Sequence, residues 1–256
     1  MNQQRKPGKV VLIGAGPGAA DLLTLRAARL LAQADVVMHD ALVTGEILQL
    51  CPQAKLVLVG KRCGQRSTAQ AFINKQMIDL AQKHDLVVRL KGGDPMLFGR
   101  ADEELSALEL AGIETEVVPG ITTALAAASA TKQPLTKRGV SRSVAFFTSS
   151  TAPDQSQSTT LPDCDTLVQY MGGREAIATA RALRAQGRSA DLPVIVIENC
   201  SRPEQRILRM TLAQLELGLP EAQGPVLVMI GQALQQRASM QDTSSEPEKT
   251  ALLFAA

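Results

Sequence analysis

The sequence predicts an α/β protein of two domains. Three observations carry this. From residue 9 to residue 131, short apolar strands alternate with helical stretches over short links. Nearly every strand in that half ends in glycine, aspartate or a basic pair. After Arg138 the texture changes, with a Ser/Thr/Gln/Pro-rich stretch at 148–162 and a second set of strands. A strand–helix alternation with short connections favours a mostly parallel sheet covered on both faces. No internal repeat is evident.

Lys9-Val-Val-Leu-Ile13 reads as a buried strand and runs into Gly14-Ala-Gly-Pro-Gly18. A helix follows over 24–33, apolar at Leu25, Ala28, Leu31 and Ala32, with Thr24 as its N-cap. The second strand, 34–39, stops at Asp40, and the third, 55–59, stops at Gly60-Lys-Arg62. An amphipathic helix covers 68–83. Asp85 to Leu90 is the next strand. It is interrupted by Gly92-Gly93, which lets backbone approach closely; Asp94-Pro95 then turns the chain outward. A helix over 100–111, a strand over 114–118, Pro119-Gly-Ile-Thr-Thr123 and a small-residue helix over 123–131 complete the first half.

In the second half, 143–147 and 166–170 read as strands, the latter ending in Met171-Gly-Gly173. A helix over 174–186 stops at Gly187. Pro193 to Ile197 is a strand ending in Glu198-Asn-Cys200; 206–217 reads as a strand turning into a helix, and 225–230 is the last strand. The domains are expected at 1–138 and 139–240, with 241–256 a polar, disordered tail.

Composition narrows the function classes. Apolar residues are 45% and charged residues 20%, no apolar run approaches a membrane span, and no signal-peptide core precedes the first strand, so the expectation is a cytoplasmic protein with no membrane partner. Cys51, Cys63, Cys164 and Cys200 are scattered, with no C-x-x-C pair, and there are two histidines, His39 and His84. Disulfides and a metal centre are therefore not expected. Aromatics are 2% with no tryptophan, against nucleic-acid binding by base stacking. The basic stretch from Lys132 to Arg142, free of acidic residues, suits a small polyanion or an ordinary solvated loop.

Parallel strands place their carboxyl ends on one sheet edge, where open α/β sheets bind ligands. Five polar signatures share that edge: Gly-Pro-Gly, His39-Asp40, Gly-Lys-Arg, Gly-Gly-Asp-Pro and Pro-Gly-Ile-Thr. Gly14-Ala-Gly-Pro-Gly-Ala19 formally fits a dinucleotide fingerprint, so a nicotinamide-dependent Rossmann oxidoreductase is a competitor. Pro17 counts against it by removing an amide from the turn that would cradle a pyrophosphate. The 21–24 segment also delays the helix.

The strings Val11-Leu-Ile-Gly-Ala-Gly-Pro-Gly18, Val59-Gly-Lys-Arg62, Val88-Arg-Leu-Lys-Gly-Gly-Asp-Pro95, Phe98-Gly-Arg100, Val117-Val-Pro-Gly-Ile-Thr122, Pro134-Leu-Thr136, Tyr170-Met-Gly172 and Glu198-Asn199 resemble the tetrapyrrole methylase family, and within it the uroporphyrinogen-III C-methyltransferases. The likeness runs from about Gly8 to Gly231. It implies two αβα domains of the class III methyltransferase type, an active site in the cleft between them, a homodimer, and S-adenosylmethionine (SAM) as co-substrate without a metal. The implied reaction methylates two pyrrole carbons, C2 and C7, of uroporphyrinogen III to give precorrin-2. By similarity, Pro17, Gly92, Gly93, Asp94, Leu97, Thr122, Thr123, Met171 and Cys200 would contact SAM. Arg100, Glu103 and Arg138 would bind the substrate's carboxylates or pyrrole N–H groups, arginine being suited to bidentate carboxylate contacts. Asp40 is the implied proton acceptor and Lys61 its paired donor, beside Arg100.

The sequence departs from the family at Ala41, where an arginine is usual, at some positions of Met96–Asp102 and Lys132–Arg138, and at Cys200, where glycine is usual. A methyltransferase of a later corrinoid precursor and a catalytically silent binding module are the remaining alternatives.

Overall fold

The computed structural model describes residues 5–59, 66–149 and 161–236. Most of the 148–162 stretch, the tail from 241, and Lys61 and Cys63 lie outside them. The first half forms strands β1 (Lys9–Gly14), β2 (Val36–His39), β3 (Lys55–Leu58), β4 (Leu86–Lys91) and β5 (Thr115–Val118), with helices α1 (Leu25–Leu31), α2 (Gly45–Leu48), α3 (Arg66–Ala81), α4 (Ala101–Leu110) and α5 (Thr123–Thr131). The sheet order is β3-β2-β4-β1-β5 and every pairing is parallel. Val10 to Ile13 are wholly buried, as a central strand covered on both faces requires. One face packs Val11, Ile13, Val37 and Val88 against Ala27, Leu31 and Ile47 of α1 and α2. The other packs Val10, Leu12, Val36 and Val87 against Met77 and Ala81 of α3 and Leu108 of α4.

Thr24 caps α1 as expected, its Oγ1 accepting from the Ala27 amide at 3.1 Å. A 3-10 turn at Ala20–Leu22 separates that helix from the glycines. The short helix α2 was not expected: Gly45-Glu-Ile-Leu48 has too little periodicity to be read as a helix from sequence, and it is held by burial of Ile47.

The second half forms β6 (Val144–Thr148), β7 (Thr166–Tyr170), α6 (Ala176–Ala185), β8 (Pro193–Glu198), β9 (Arg206–Thr211), α7 (Leu212–Leu217) and β10 (Val226–Gly231). Its sheet runs β6-β7-β10-β8-β9 and is mixed. β6 and β7 are parallel, while β10 is antiparallel to both β7 and β8, and β8 to β9. The β7–α6–β8 crossover therefore leaves a gap that β10 fills from the opposite direction. The strand expected to turn into a helix does so at Thr211, which forms a full capping box with Gln214.

Helices α6 and α7 cover one face of this sheet through Ala176, Ala180, Leu183, Leu212 and Leu215. The other face is covered by α5 from the first half: Ala124, Ala126 and Ala127 pack among Val168, Ile195, Ile197, Leu227 and Met229. Alanines at these positions let the helix axis approach the sheet closely. We propose 1–138 and 139–240 as the division of the chain, with α5 joined by sequence to one unit and by packing to the other.

Three strand ends set the floor between the units. A Cβ on Gly14 would lie 2.5 Å from the Gly120 nitrogen, and a Cβ on Gly120 would lie 2.3 Å from the Gly93 carbonyl oxygen. Gly120→Ala is expected to destabilise the protein by about 1–3 kcal/mol through overpacking against backbone, read as a lower urea midpoint.

Candidate active site

The glycine edge is a backbone weave. Ala15 N–H donates to the Lys91 carbonyl at 2.7 Å, Gly16 N–H to the Gly93 carbonyl at 3.1 Å, and Gly93 N–H to the Gly16 carbonyl at 2.7 Å. The Ala15 and Gly16 amides of the turn are thus already engaged, Pro17 has none to give, and α1 starts only at Leu25. This geometry removes the basis for a dinucleotide site at Gly14–Gly18. Pro17 is buried in that turn.

Gly93 has φ +70°, and a Cβ built on it would meet nothing within 4 Å. Its open face is a place where a ligand can approach the backbone. Asp94 was expected to offer its carboxylate to a ligand. In the structure one oxygen accepts from the Met96 amide (2.8 Å) and the other from the Gly120 amide (2.9 Å). The carboxylate ties the loop after β4 to the loop after β5, a job that residue spacing alone does not reveal. Leu97 is half-buried beside it, its amide donating to the Asp94 carbonyl.

Asp40, at the end of the neighbouring strand β2, acts in a similar way. It accepts from the Leu42 amide at 2.8 Å and, more weakly, from the Gly92 amide at 3.4 Å. Arg100 and Glu103 form a fork of two bonds at 2.6 and 2.7 Å. Each side chain is about half exposed, 46% and 48%. Glu103 raises the Arg100 pKa, and Arg100 in turn holds Glu103 below the usual glutamate value. Such an open pair contributes little to stability. Arg138 is exposed on the turn between Lys137 and Ser141 and makes no ion pair among the described residues. Lys61 lies outside the described residues.

The second sheet brings its own edge to the first. Thr122 Oγ1 and the Tyr170 hydroxyl are 2.5 Å apart, and the Ala124 amide donates to the same hydroxyl at 3.1 Å. Phe98 lies against the Tyr170 ring at 5.1 Å between centroids. Arg202 donates to the Leu42 carbonyl at 2.7 Å and passes over Gly18. Thr123 sits at the first position of α5, and Met171, 52% exposed, follows Tyr170 directly. Cys200 does not face the opening: its thiol is buried in the core beneath α5, and burial pushes its pKa up.

Phe98, Arg100, Met171, Asn199 and Ser201 all have φ between 51° and 62°. Non-glycine residues in this region are strained, and such strain gathers where surrounding structure holds a functional shape. All five lie at the facing ends of β4, β7 and β8.

One cluster escaped the sequence reading. Arg89 and Lys91 sit two apart on β4 and so point to one face. Both are buried, and wholly buried Glu104 accepts from Arg89 at 3.0 Å and from Lys91 at 2.9 Å. Gln70 donates to the same carboxylate at 3.4 Å. Burial, then the adjacent Arg89 charge, lower the Lys91 pKa, with Glu104 opposing. The available signal was the parity: two cations on one face of a central strand require a buried acid. Glu104→Gln strands both cations and is expected to cost about 3–5 kcal/mol in chemical denaturation. Glu103→Gln, one residue earlier and half exposed, should change stability by less than about 1 kcal/mol.

Among the described residues no three His, Cys, Asp or Glu side chains gather to hold a metal, and no helix is long and apolar enough to cross a membrane.

Comparison with known proteins matches residues 9–216 to the family model for tetrapyrrole (corrin/porphyrin) methylases. The chain is 46% identical over 229 residues to a uroporphyrinogen-III C-methyltransferase of Pseudomonas aeruginosa, covering 88% of this chain and 94% of that one. It is 43% identical over 249 residues to siroheme synthase 1 of Klebsiella pneumoniae, covering 94% of this chain and 53% of the relative. The chain thus spans about half the length of the siroheme synthases it matches. Among solved structures, the Thermus thermophilus uroporphyrin-III C-methyltransferase complexed with S-adenosylhomocysteine aligns with TM-score 0.77 at 37% identity, over 89% of this chain and 99% of that one. With the family model covering most of its length and both sheets aligning to that fold, the chain belongs to the tetrapyrrole methylase family.

Proposed function

We propose that this protein is a SAM-dependent C-methyltransferase acting on uroporphyrinogen III at C2 and C7, yielding precorrin-2 and S-adenosylhomocysteine, and working as a cytoplasmic homodimer. The observation that carries the reading is the meeting of the two sheet edges: the Thr122–Thr123 helix start, Phe98 and Met171 gather at Tyr170, and the open Gly93 lies in the loop that Asp94 ties to Gly120, two residues before Thr122. The named relatives supply the co-substrate and the acceptor.

The residues present fit SAM. Gly93 leaves room where a side chain would intrude. Pro17, Gly92, Gly93, Asp94, Leu97, Thr122, Thr123 and Met171 supply backbone, hydroxyl and flexible apolar surface; Cys200 is limited to a backbone contact because its thiol faces the core. SAM supplies a methyl group already activated on sulfonium, so the chain's task is to align and shelter the reacting groups.

Arg100, left-handed at the N-cap of α4, has its guanidinium on a partner that solvent already screens. A substrate acetate or propionate can replace Glu103 on the guanidinium fork and leave Glu103 free to receive a pyrrole N–H. Arg138, without an ion pair among the described residues, is a second carboxylate anchor. Methylation at a pyrrole carbon leaves a proton to be removed. Asp40 is the group assigned to accept it, with Lys61, which lies outside the described residues, as the paired donor; the two amides that already donate to Asp40 fix the direction of its carboxylate.

Thermal shift and calorimetry should show stabilisation by S-adenosylhomocysteine and none by NAD or NADP; the reverse pattern would sink the proposal. With SAM and uroporphyrinogen III under anaerobic conditions, mass analysis should find two methyl groups added, whereas activity only on an already methylated corrinoid would favour a later step of the same chemistry. Asp40→Asn preserves the carbonyl that the Leu42 amide needs. It should lower kcat by roughly 10²-fold with little change in S-adenosylhomocysteine affinity. Arg100→Ala should raise KM for the porphyrinogen by about tenfold or more.

A further inference from the structure

We infer that Tyr170 is a positioning residue that couples the cofactor and substrate halves of the cleft, by capping α5 from the other sheet and holding Phe98 against its ring. The inference rests on the methyltransferase reading of the same site.

Helices α1 and α7 cap themselves: Thr24 and Thr211 each accept from their own first turn. Helix α5 does not. Its N-cap, Thr122, makes no side-chain cap bond, because its hydroxyl is committed to Tyr170. The Ala124 amide, an unpaired first-turn donor of the kind every helix start leaves, goes to the Tyr170 oxygen instead. The phenol can serve both contacts, having one proton to give and two lone pairs to accept with. The other end of α5 is treated alike. Arg209, also from the second sheet, donates to the Thr131 carbonyl at 3.1 Å, where a cation suits a helix C-terminus.

The ring does a second job. Phe98 packs on it tilted by 53°, and Phe146 supports it at 6.0 Å in an edge arrangement. Phe98 itself has φ 53° and is 42% exposed, and the Tyr170 ring is its aromatic neighbour. Phe98 lies two residues before Arg100, and Met171 follows Tyr170 in the chain. One side chain therefore touches the helix start assigned to SAM and the loop assigned to the substrate, beside the exposed methionine. A shift of that ring moves all three together. A packing role alone would need the ring and not the hydroxyl.

The chain has one tyrosine and no tryptophan, so tyrosine emission reports this residue alone. S-adenosylhomocysteine titrated into the unmodified protein should be bound, by calorimetry, and should change that emission with the same midpoint. No binding at all would overturn the methyltransferase reading and this inference with it; binding with unchanged emission would overturn the inference alone. Tyr170→Phe keeps the ring and removes the hydroxyl. It should weaken S-adenosylhomocysteine and raise KM for SAM by roughly tenfold, with kcat within about threefold, and should speed hydrogen exchange at the Ala124 amide. Unchanged affinity and exchange in that variant would overturn the inference. If Tyr170→Phe does not fold, Thr122→Val removes the partner hydroxyl and leaves the phenol in place. It should again weaken S-adenosylhomocysteine, and equal affinity to the unmodified protein would count against the coupling.

Discussion

Three adjacent strand ends lie in mutual backbone contact, so close that two of them have no room for a Cβ. Gly14 at the end of β1 and Gly120 after β5 are the crowded pair; the carbonyl of Gly93, after β4, presses on both, and the Asp94 carboxylate fastens that loop to Gly120. Everything at the cleft depends on that closeness. It consumes the Ala15 and Gly16 amides of the first turn, which counts against a phosphate cradle there, and it sends the chain after β4 outward through Asp94-Pro95. Gly93 is thereby left with its open side to the cleft. The strained turn at Phe98 and Arg100 follows within a few residues.

Directly beneath lies a charge arrangement that a hydrophobic core would not tolerate half-built. Arg89, Lys91 and Glu104 are almost wholly out of water, and the single carboxylate serves two cations. Removing a partner from such a set costs far more than the set contributes to stability. Its structural consequence is positional. Glu104 fixes α4 to β4, and the Lys91 side chain passes close beneath Gly99. Arg100 is the N-cap of that helix, so Glu103 of the exposed fork and Glu104 of the buried triad are consecutive residues in its first turn with opposite tasks. One is closed and fixes geometry. The other is open to water and free to exchange partners.

Helix α5 joins the two sheets. Its alanines pack on the second sheet, its start is capped by Tyr170 and its end by Arg209, while its sequence and its first residues belong to the loop after β5. Together with Arg202 on the Leu42 carbonyl, these contacts give the two sheet edges a defined relation. A cleft lined by residues far apart in sequence needs such a joint, because each sheet alone presents only half of it.

Much of this was legible in the residues themselves. Periodicity and turn chemistry located the strands and the longer helices, and Thr24 announced its own cap, because these are decided by neighbours within a turn or two. The parallel first sheet followed from strand–helix alternation. The mixed second sheet did not, because the reversal of β10 depends on which gap the β7–β8 crossover leaves open. The polar strand ends pointed to one edge as a site, but not to their partners. Asp94 and Asp40 were legible as a ligand contact and a proton acceptor, but not the amides across loops that each carboxylate also holds. The roles of Tyr170 and Glu104 were not legible from their own neighbours, since those roles exist only where a second sheet or a second helix face arrives. Short-range sterics and the hydrophobic pattern, both written in the chain, settle the elements and the chemistry available at their ends. Which of those groups build the cleft and which stay free to act in it is settled by packing, because a hydrogen bond across dozens of residues forms only when the sheets that carry its partners have met.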